Sequence, residues 1–274
     1  MAVASDGDGR FSFGENWLAF LGHLDEQRIA EAERSLQALC GLERLDGKRF
    51  LDIGSGSGLF SLAARRLGAW VHSFDYDPQS VAGTVKLKER FFPEDSLWVV
   101  EQGSILDTSF VSSLGTYDIV YSWGVLHHTG AMWDAIANAA TRVDDGGLFV
   151  LALYRKTRLC GFWRREKRWY AQASPLGQKI ALALFVCCLR SAFFIQGRKF
   201  DAYVRDYKNT RGMSFSHDVH DWLGGYPYES VAPAEIATFM ERQEFNYIRS
   251  NVQPYGFGVF GSGCDEYVYR RVGR

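Results

Sequence analysis

Between residues 50 and 153 the chain alternates short apolar runs with segments whose apolar residues recur every three or four positions. The runs Phe50–Ile53, Trp70–Phe74, Leu97–Val100, Tyr117–Ser122 and Gly147–Leu153 predict strands. They are continuous rather than alternating, as burial on both faces requires. Leu59–Leu67, Pro78–Phe91 and Ala131–Arg142 predict helices between them, with Asp77 as an N-cap and Pro78 at the first helical position. Asp107–Leu114 predicts a short polar crossover. Strands joined by helical crossovers imply a parallel sheet with helices on both faces.

The flanks read differently. Residues 1–10 are small and polar and predict disorder. Trp17, Phe20, Leu21 and Leu24 fall on one helical face, and Ile29, Ala32, Leu36 and Leu39 on a second after Asp25-Glu26. Residues 1–44 are therefore expected to form an N-terminal helical cap, and 45–154 the α/β core. The alternation stops at Tyr154. Residues 155–231 predict a helical insertion after the fifth strand, which topology sets above the carboxyl edge of the sheet. Within it Ile180–Ile195 is strongly apolar but carries Arg190, and it reads as a buried or interfacial helix too short to span a membrane. Residues 232–274 complete the core with a helix, Pro233–Gln243, and strands Phe245–Asn251 and Glu266–Arg270. The glycine-rich link between these strands has no room for a helix, so they should pair antiparallel. The expected fold is α/β, a doubly wound, seven-stranded, mostly parallel sheet.

Composition narrows the class. The 274 residues are 47% hydrophobic with a net charge of -1, which supplies no global field for nucleic acid. Five cysteines lack zinc spacing and suggest reduced thiols in a cytosol. The N-terminus has no apolar signal-peptide core, so a cytoplasmic location is expected.

The chemistry gathers at Phe50-Leu51-Asp52-Ile53-Gly54-Ser55-Gly56-Ser57-Gly58, a strand running into a glycine-rich turn that opens a helix. Glycines there remove Cβ atoms where a ligand approaches the backbone. The next strand ends on Asp75. A glycine turn with an acid closing the following strand is how such sheets hold a nucleoside. The Gly-x-Gly-x-Gly spacing differs from the dinucleotide pattern. The stretch LDIGSGSG closely resembles the first motif of class I S-adenosylmethionine-dependent methyltransferases. Asp75, then Gln102-Gly103-Ser104 after the third strand, and the run Asp118 to His128 after the fourth resemble the same family in the same order, the last in its ubiquinone and menaquinone methylase-like branch.

That resemblance implies S-adenosylmethionine as cofactor and S-adenosylhomocysteine as product. Asp52, Gly54, Ser55, Gly56, Gly58, Asp75, Tyr76, Gly103, Ser104, Ser122 and Trp123 are the expected cofactor residues. Asp75 would accept the ribose hydroxyls, with Asp77 a competing acid whose bland reading is the helix cap. Asp52 and the carbonyls of Gly54 and Ser122 would receive the methionyl ammonium. Gly103 cannot offer the acid that the family often has there.

His127 and His128 follow the fourth strand, where one could line a substrate pocket or remove a proton. A second stretch, Arg211 to Glu229, contains His217-Asp218-Val219-His220-Asp221. It could supply a His–Asp base, a metal site or simply a surface helix; no metal is assigned. His128, His217, His220 and Tyr226 are the catalytic candidates, and His127, Trp222 and Tyr228 the substrate ones. Arg155–Arg168 carries seven Lys and Arg against one Glu among aromatics. It could meet RNA phosphates, an anionic acceptor or, weakly, a membrane surface, and its bland reading is a solvated helix face. The expected function is methyl transfer to an oxygen, or a nitrogen, of a small aromatic or apolar acceptor such as a quinol-like or secondary-metabolite hydroxyl. An RNA- or protein-directed methyltransferase and a non-methylating cofactor binder are the other classes.

Overall fold

The computed structural model describes residues 24–211, 215–252, 258–261 and 263–273, without the side chains of 208–211, 216 and 217. The helical face through Trp17, Phe20 and Leu21, the His217 side chain and parts of the link before the last strand lie outside them.

The elements run α1 (Glu26–Cys40), β1 (Arg49–Ile53), α2 (Leu59–Arg66), β2 (Trp70–Asp75), α3 (Pro78–Phe91), β3 (Trp98–Gln102), α4 (Thr108–Ser113), β4 (Tyr117–Trp123), α5 (Met132–Ala140) and β5 (Val143–Tyr154). Then follow α6 (Cys160–Gln172), α7 (Pro175–Ile195), α8 (Phe200–Arg211), α9 (Phe215–Gly224), α10 (Pro233–Arg242), β6 (Phe245–Asn251) and β7 (Cys264–Arg271). The starts of several helices are set by side chains that satisfy amide groups left without intrahelical partners. Asp25 accepts from Arg28 N, Asp77 from Gln79 N, and Asp107 from Ser109 N and Phe110 N. The polar crossover after β3 is thus a short helix, α4.

Seven strands form one sheet in the order β3-β2-β1-β4-β5-β7-β6. β1 to β5 pair parallel, and β7 runs antiparallel to both β5 and β6. The central strands are buried along their length because helices cover both faces. Ile29, Leu36, Leu62 and Leu87, from α1, α2 and α3, pack on one face. Val111, Ile136, Ile236 and Met240, from α4, α5 and α10, pack on the other. Chain crossovers reverse direction between β1 and β4, so the loops leaving these two strands flank a crevice, the usual ligand position in an open sheet.

The insertion has its own core, in which Trp163, Tyr170, Val219, Leu223 and Tyr228 are buried together. Two expectations for it are corrected. The apolar helix is neither short nor buried: α7 starts at Pro175, runs 21 residues, and is long and apolar enough to cross a membrane. Ser174 caps it by accepting from Gly177 N, and Phe193 is its only buried residue. Nor is the basic run only a solvated face. Trp163, Lys167 and Tyr170 fall at i, i+4 and i+7, and all three are buried.

Candidate active site

The turn after β1 is held from beneath. Gly54 N and Ser55 N both donate to Phe74 O at the end of β2, at 2.8 and 3.2 Å. Gly54 has φ 76° and Gly58 φ 79°, a region that residues with a Cβ rarely enter. Space is also short. A Cβ on Gly54 would stand 2.4 Å from Val125 Cγ1, and one on Gly58 3.0 Å from Thr84. The glycines thus let the β1 turn touch both α3 and the loop after β4.

Asp75 closes β2 where the sequence places it. Its Oδ2 accepts Gly56 N at 2.9 Å and its Oδ1 accepts Asp77 N at 2.9 Å. Burial pushes its carboxyl up to about 6, against the pull of these two amides. Asp77 caps α3, accepting from Gln79 N at 2.8 Å. Asp52 is 3% exposed and accepts the Ser61 hydroxyl at 2.5 Å. Burial pushes it up to about 7, with the neighbouring Asp75 adding to the shift and Ser61 opposing it. Two carboxyl groups are therefore held side by side where ionisation is costly, an arrangement that a cation would relieve.

The other expected cofactor residues sit at or just past the carboxyl ends of β1, β2, β3 and β4. Gly103 N donates to Asp75 O, and a Cβ on Gly103 would strike Phe110 at 2.1 Å. Ser104 Oγ accepts Leu106 N, and Tyr76 is half exposed. Ser55 Oγ pairs with Thr84 Oγ1, and Ser122 Oγ donates to Ile53 O, tying β4 to β1. The exposed Trp123 donates from its indole nitrogen to Glu266 on β7 at 2.8 Å.

A second cluster lies past Val125. His127 is wholly buried, its ring 4.1 Å from Tyr154, and neither ring nitrogen has a hydrogen-bond partner. Burial holds its pKa far down, and the charges of His128 and Lys167 push the same way. His128 Nδ1 lies 2.7 Å from Pro227 O, and burial lowers the ring to about 4. Tyr228 lies 5.3 Å from Tyr154 with the rings tilted, and Trp222 meets Trp163 edge-on at 4.5 Å. Into this box of rings projects Lys167, fully buried, its Nζ without a hydrogen bond and 3.9 Å from the Trp222 ring. Burial draws its pKa down, opposed by Glu166. The bottom is fastened by Glu229, whose Oε2 accepts Met132 N at the start of α5 while its own N–H donates to His127 O.

The residues 24–185 match the model of a family described as "Methyltransferase domain". The chain belongs to this family. Its sheet and flanking helices are those of class I S-adenosylmethionine-dependent methyltransferases. It is 31% identical over 134 residues to a ubiquinone biosynthesis O-methyltransferase of Burkholderia lata, covering 48% of this chain and 56% of that protein. It is 45% identical over 137 residues to a ribosomal protein L11 methyltransferase of Xanthomonas campestris pv. campestris, covering 49% and 41%. The chain spans about half the length of the curated relatives it matches. Among solved structures, the magnesium protoporphyrin IX methyltransferase of Synechocystis PCC 6803 with bound SAH superposes with a TM-score of 0.52 at 16% identity, over 89% of this chain and 82% of that one.

The donor set of this chain suits S-adenosylmethionine. Asp75 can accept a ribose diol, the turn admits close backbone approach, and the buried carboxyl pair favours a cationic ligand. The other expected site residues scatter. Tyr207 of α8 donates to Asp218 of α9, while His220 Nδ1 is hydrogen-bonded to Tyr170 OH at 2.7 Å. Asp218 and His220 thus turn to different partners, and among the described residues no group of His, Cys, Asp and Glu gathers for a metal. Tyr226 is partly exposed on the turn after α9, its N–H donating to Gly224 O at 2.6 Å. Tyr228 and Trp222 join His127 in the ring box. Lys167, Tyr154, Trp163 and Glu229 were missed. The i, i+4, i+7 spacing of Trp163, Lys167 and Tyr170 was the available signal.

Proposed function

We propose that this chain is an S-adenosylmethionine-dependent methyltransferase that moves the methyl group to a hydroxyl oxygen of a small aromatic, quinol-like acceptor. The observation that carries the reading is the unpartnered Lys167 amine beside an unpartnered, neutral His127 within a box of rings. A buried polar group without a partner costs about 1–3 kcal/mol, so a ligand that supplies partners recovers that energy on binding. Tyr154, Tyr228 and Trp222 would offer their ring faces to a planar acceptor, and its hydroxyl would meet Lys167.

The chain's own residues then have definite tasks. Asp75 would hold the ribose, and the β1 turn would fix the cofactor against α3. Lys167, its amine kept partly neutral by burial, takes the proton of the acceptor hydroxyl onto Nζ. The resulting ammonium stays beside the oxyanion. His127 orients the acceptor by a hydrogen bond. When bound, S-adenosylmethionine would supply an electrophilic methyl group for that oxygen, with the sulfide sulfur as leaving group. Alignment is the main contribution, and proton removal adds about 10²–10⁴-fold.

The test uses methyl-labelled S-adenosylmethionine with a set of catechols and quinols. Label should enter an O-methyl ether, and Lys167→Met should suppress it while leaving cofactor affinity intact. Label found only in protein or RNA would overturn the acceptor class. Full activity in Lys167→Met would overturn the role of Lys167.

A further inference from the structure

The outer side of α7 is as apolar as its inner side. Inward, Ala181, Leu182 and Phe185 join the core of the insertion, and Phe185 lies 5.3 Å from Trp222. Outward, Leu176, Ile180, Leu184 and Ile195 are exposed on one stripe, beside Phe194 at 85%. A helix apolar all round normally has protein or lipid on every side. Here the mean hydropathy reaches 1.7, yet little of the helix is covered. The exposed Trp169 ring of α6 lies next to the start of this stripe.

Charge identifies what covers it. Residues 155–211 carry fourteen Lys and Arg against three Asp and Glu, a net +11. The whole chain is at -1, so the remainder is at -12. The basic excess is thus confined to the segment that bares the apolar stripe. An apolar face with basic flanks and exposed aromatics is the composition of a helix lying in a membrane interface. RNA would use the charge but leave the Leu, Ile and Phe stripe in water.

We infer that α7 docks this enzyme on an anionic lipid bilayer, lying in the plane of its surface with Leu176, Ile180, Leu184, Phe194 and Ile195 among the acyl chains. The helix does not span. At 21 residues it is about 32 Å long, and spanning would carry its two ends to opposite sides of the bilayer. Both neighbouring helices in the chain, α6 and α8, pack against the one short helix α9, which also touches α7 itself. All four helices therefore stay on one side. Because Phe185 on the inner face of α7 touches Trp222 of the ring box, the docked helix is also the roof of the acceptor pocket. An apolar acceptor dissolved in the bilayer would reach the pocket along that roof.

Vesicle co-sedimentation of the full chain tests this without any methyl transfer, so its outcome is separate from the acceptor assignment. The protein should pellet with phosphatidylglycerol–phosphatidylcholine vesicles at low salt, and much less with phosphatidylcholine alone or at high salt. The double variant Leu184→Gln/Phe194→Gln should keep cofactor binding and lose about tenfold or more in vesicle affinity, as removal of two buried apolar side chains predicts. No pelleting with anionic vesicles would overturn the proposal. So would a stable dimer or RNA complex that the same double variant abolishes while vesicle binding is unchanged.

Discussion

The amine of Lys167 stands 3.9 Å over the ring of Trp222 and, fully buried, makes no hydrogen bond. A cation over an indole gains at most a few kcal/mol, while an unpaired buried charge costs more than that. The site therefore sacrifices stability locally. Lys167→Met keeps the volume and removes the charge, so thermal stability should hold or rise. The rate of transfer to a hydroxyl acceptor should fall about 10²–10⁴-fold, the usual worth of a positioned base. Its pH profile should lose the limb on which the wild-type rate rises with pH. Thermal melts and rates on the same preparation check both halves.

Asp75 and Asp77 are two residues apart but do different work. Asp75→Asn should weaken cofactor binding about 10- to 100-fold, the range for a hydrogen bond to a charged group. Asp77→Ala should instead cost about 1 kcal/mol of stability through the lost cap on α3, with cofactor affinity nearly unchanged. Titration calorimetry and chemical denaturation separate the two. Similar affinity losses in both variants would transfer the ribose to Asp77.

Burial raises Asp75 to about 6 and Asp52 to about 7. The cofactor brings an ammonium and a sulfonium, which favour the ionised carboxylates and so lower both values. Binding between pH 6 and 7 should therefore release protons, and affinity should rise with pH across this window and level off above it. The sign for the unliganded fold is opposite. Its raised carboxyls bind protons more readily than in the unfolded chain, so these two groups favour the fold more as pH falls from about 7 toward 4. Calorimetry in buffers of different ionisation enthalpy reads the proton count directly, and net uptake would refute the carboxyl pair as the cofactor's counter-charge.

Gly54→Ala combines a clash with Val125 and a positive φ. It should destabilise by about 1–3 kcal/mol and reduce cofactor affinity with it. Adding Val125→Ala should recover the part due to the clash and leave the part due to φ. A second substitution without any effect would mean that the two loops do not touch.

The sheet was legible because continuous apolar runs with helical spacing between them admit few arrangements. The antiparallel β6–β7 pair followed from the length of its link. The insertion was harder for identifiable reasons. Whether an apolar helix such as α7 is covered depends on packing partners, which its own periodicity does not name. Lys167 looked like one charge among seven because composition ignores which helical face a residue occupies. His128 takes Pro227 O as a partner 99 residues away, and no local pattern encodes such a contact.

Glu229 joins the end of the insertion to the start of α5, through Met132 N, and to the β4 loop, through His127 O, across 97 residues in the first case. That double attachment fastens the 224–229 end of the insertion to the loops at the carboxyl edge of the sheet. Its other end is tied as well, by Arg155 N to Gly263 O and by the Trp163 indole nitrogen to Gly258 O. The insertion is therefore clamped at both chain ends, and Glu229→Gln would loosen only the bond to Met132 N, leaving the backbone tie to His127 in place.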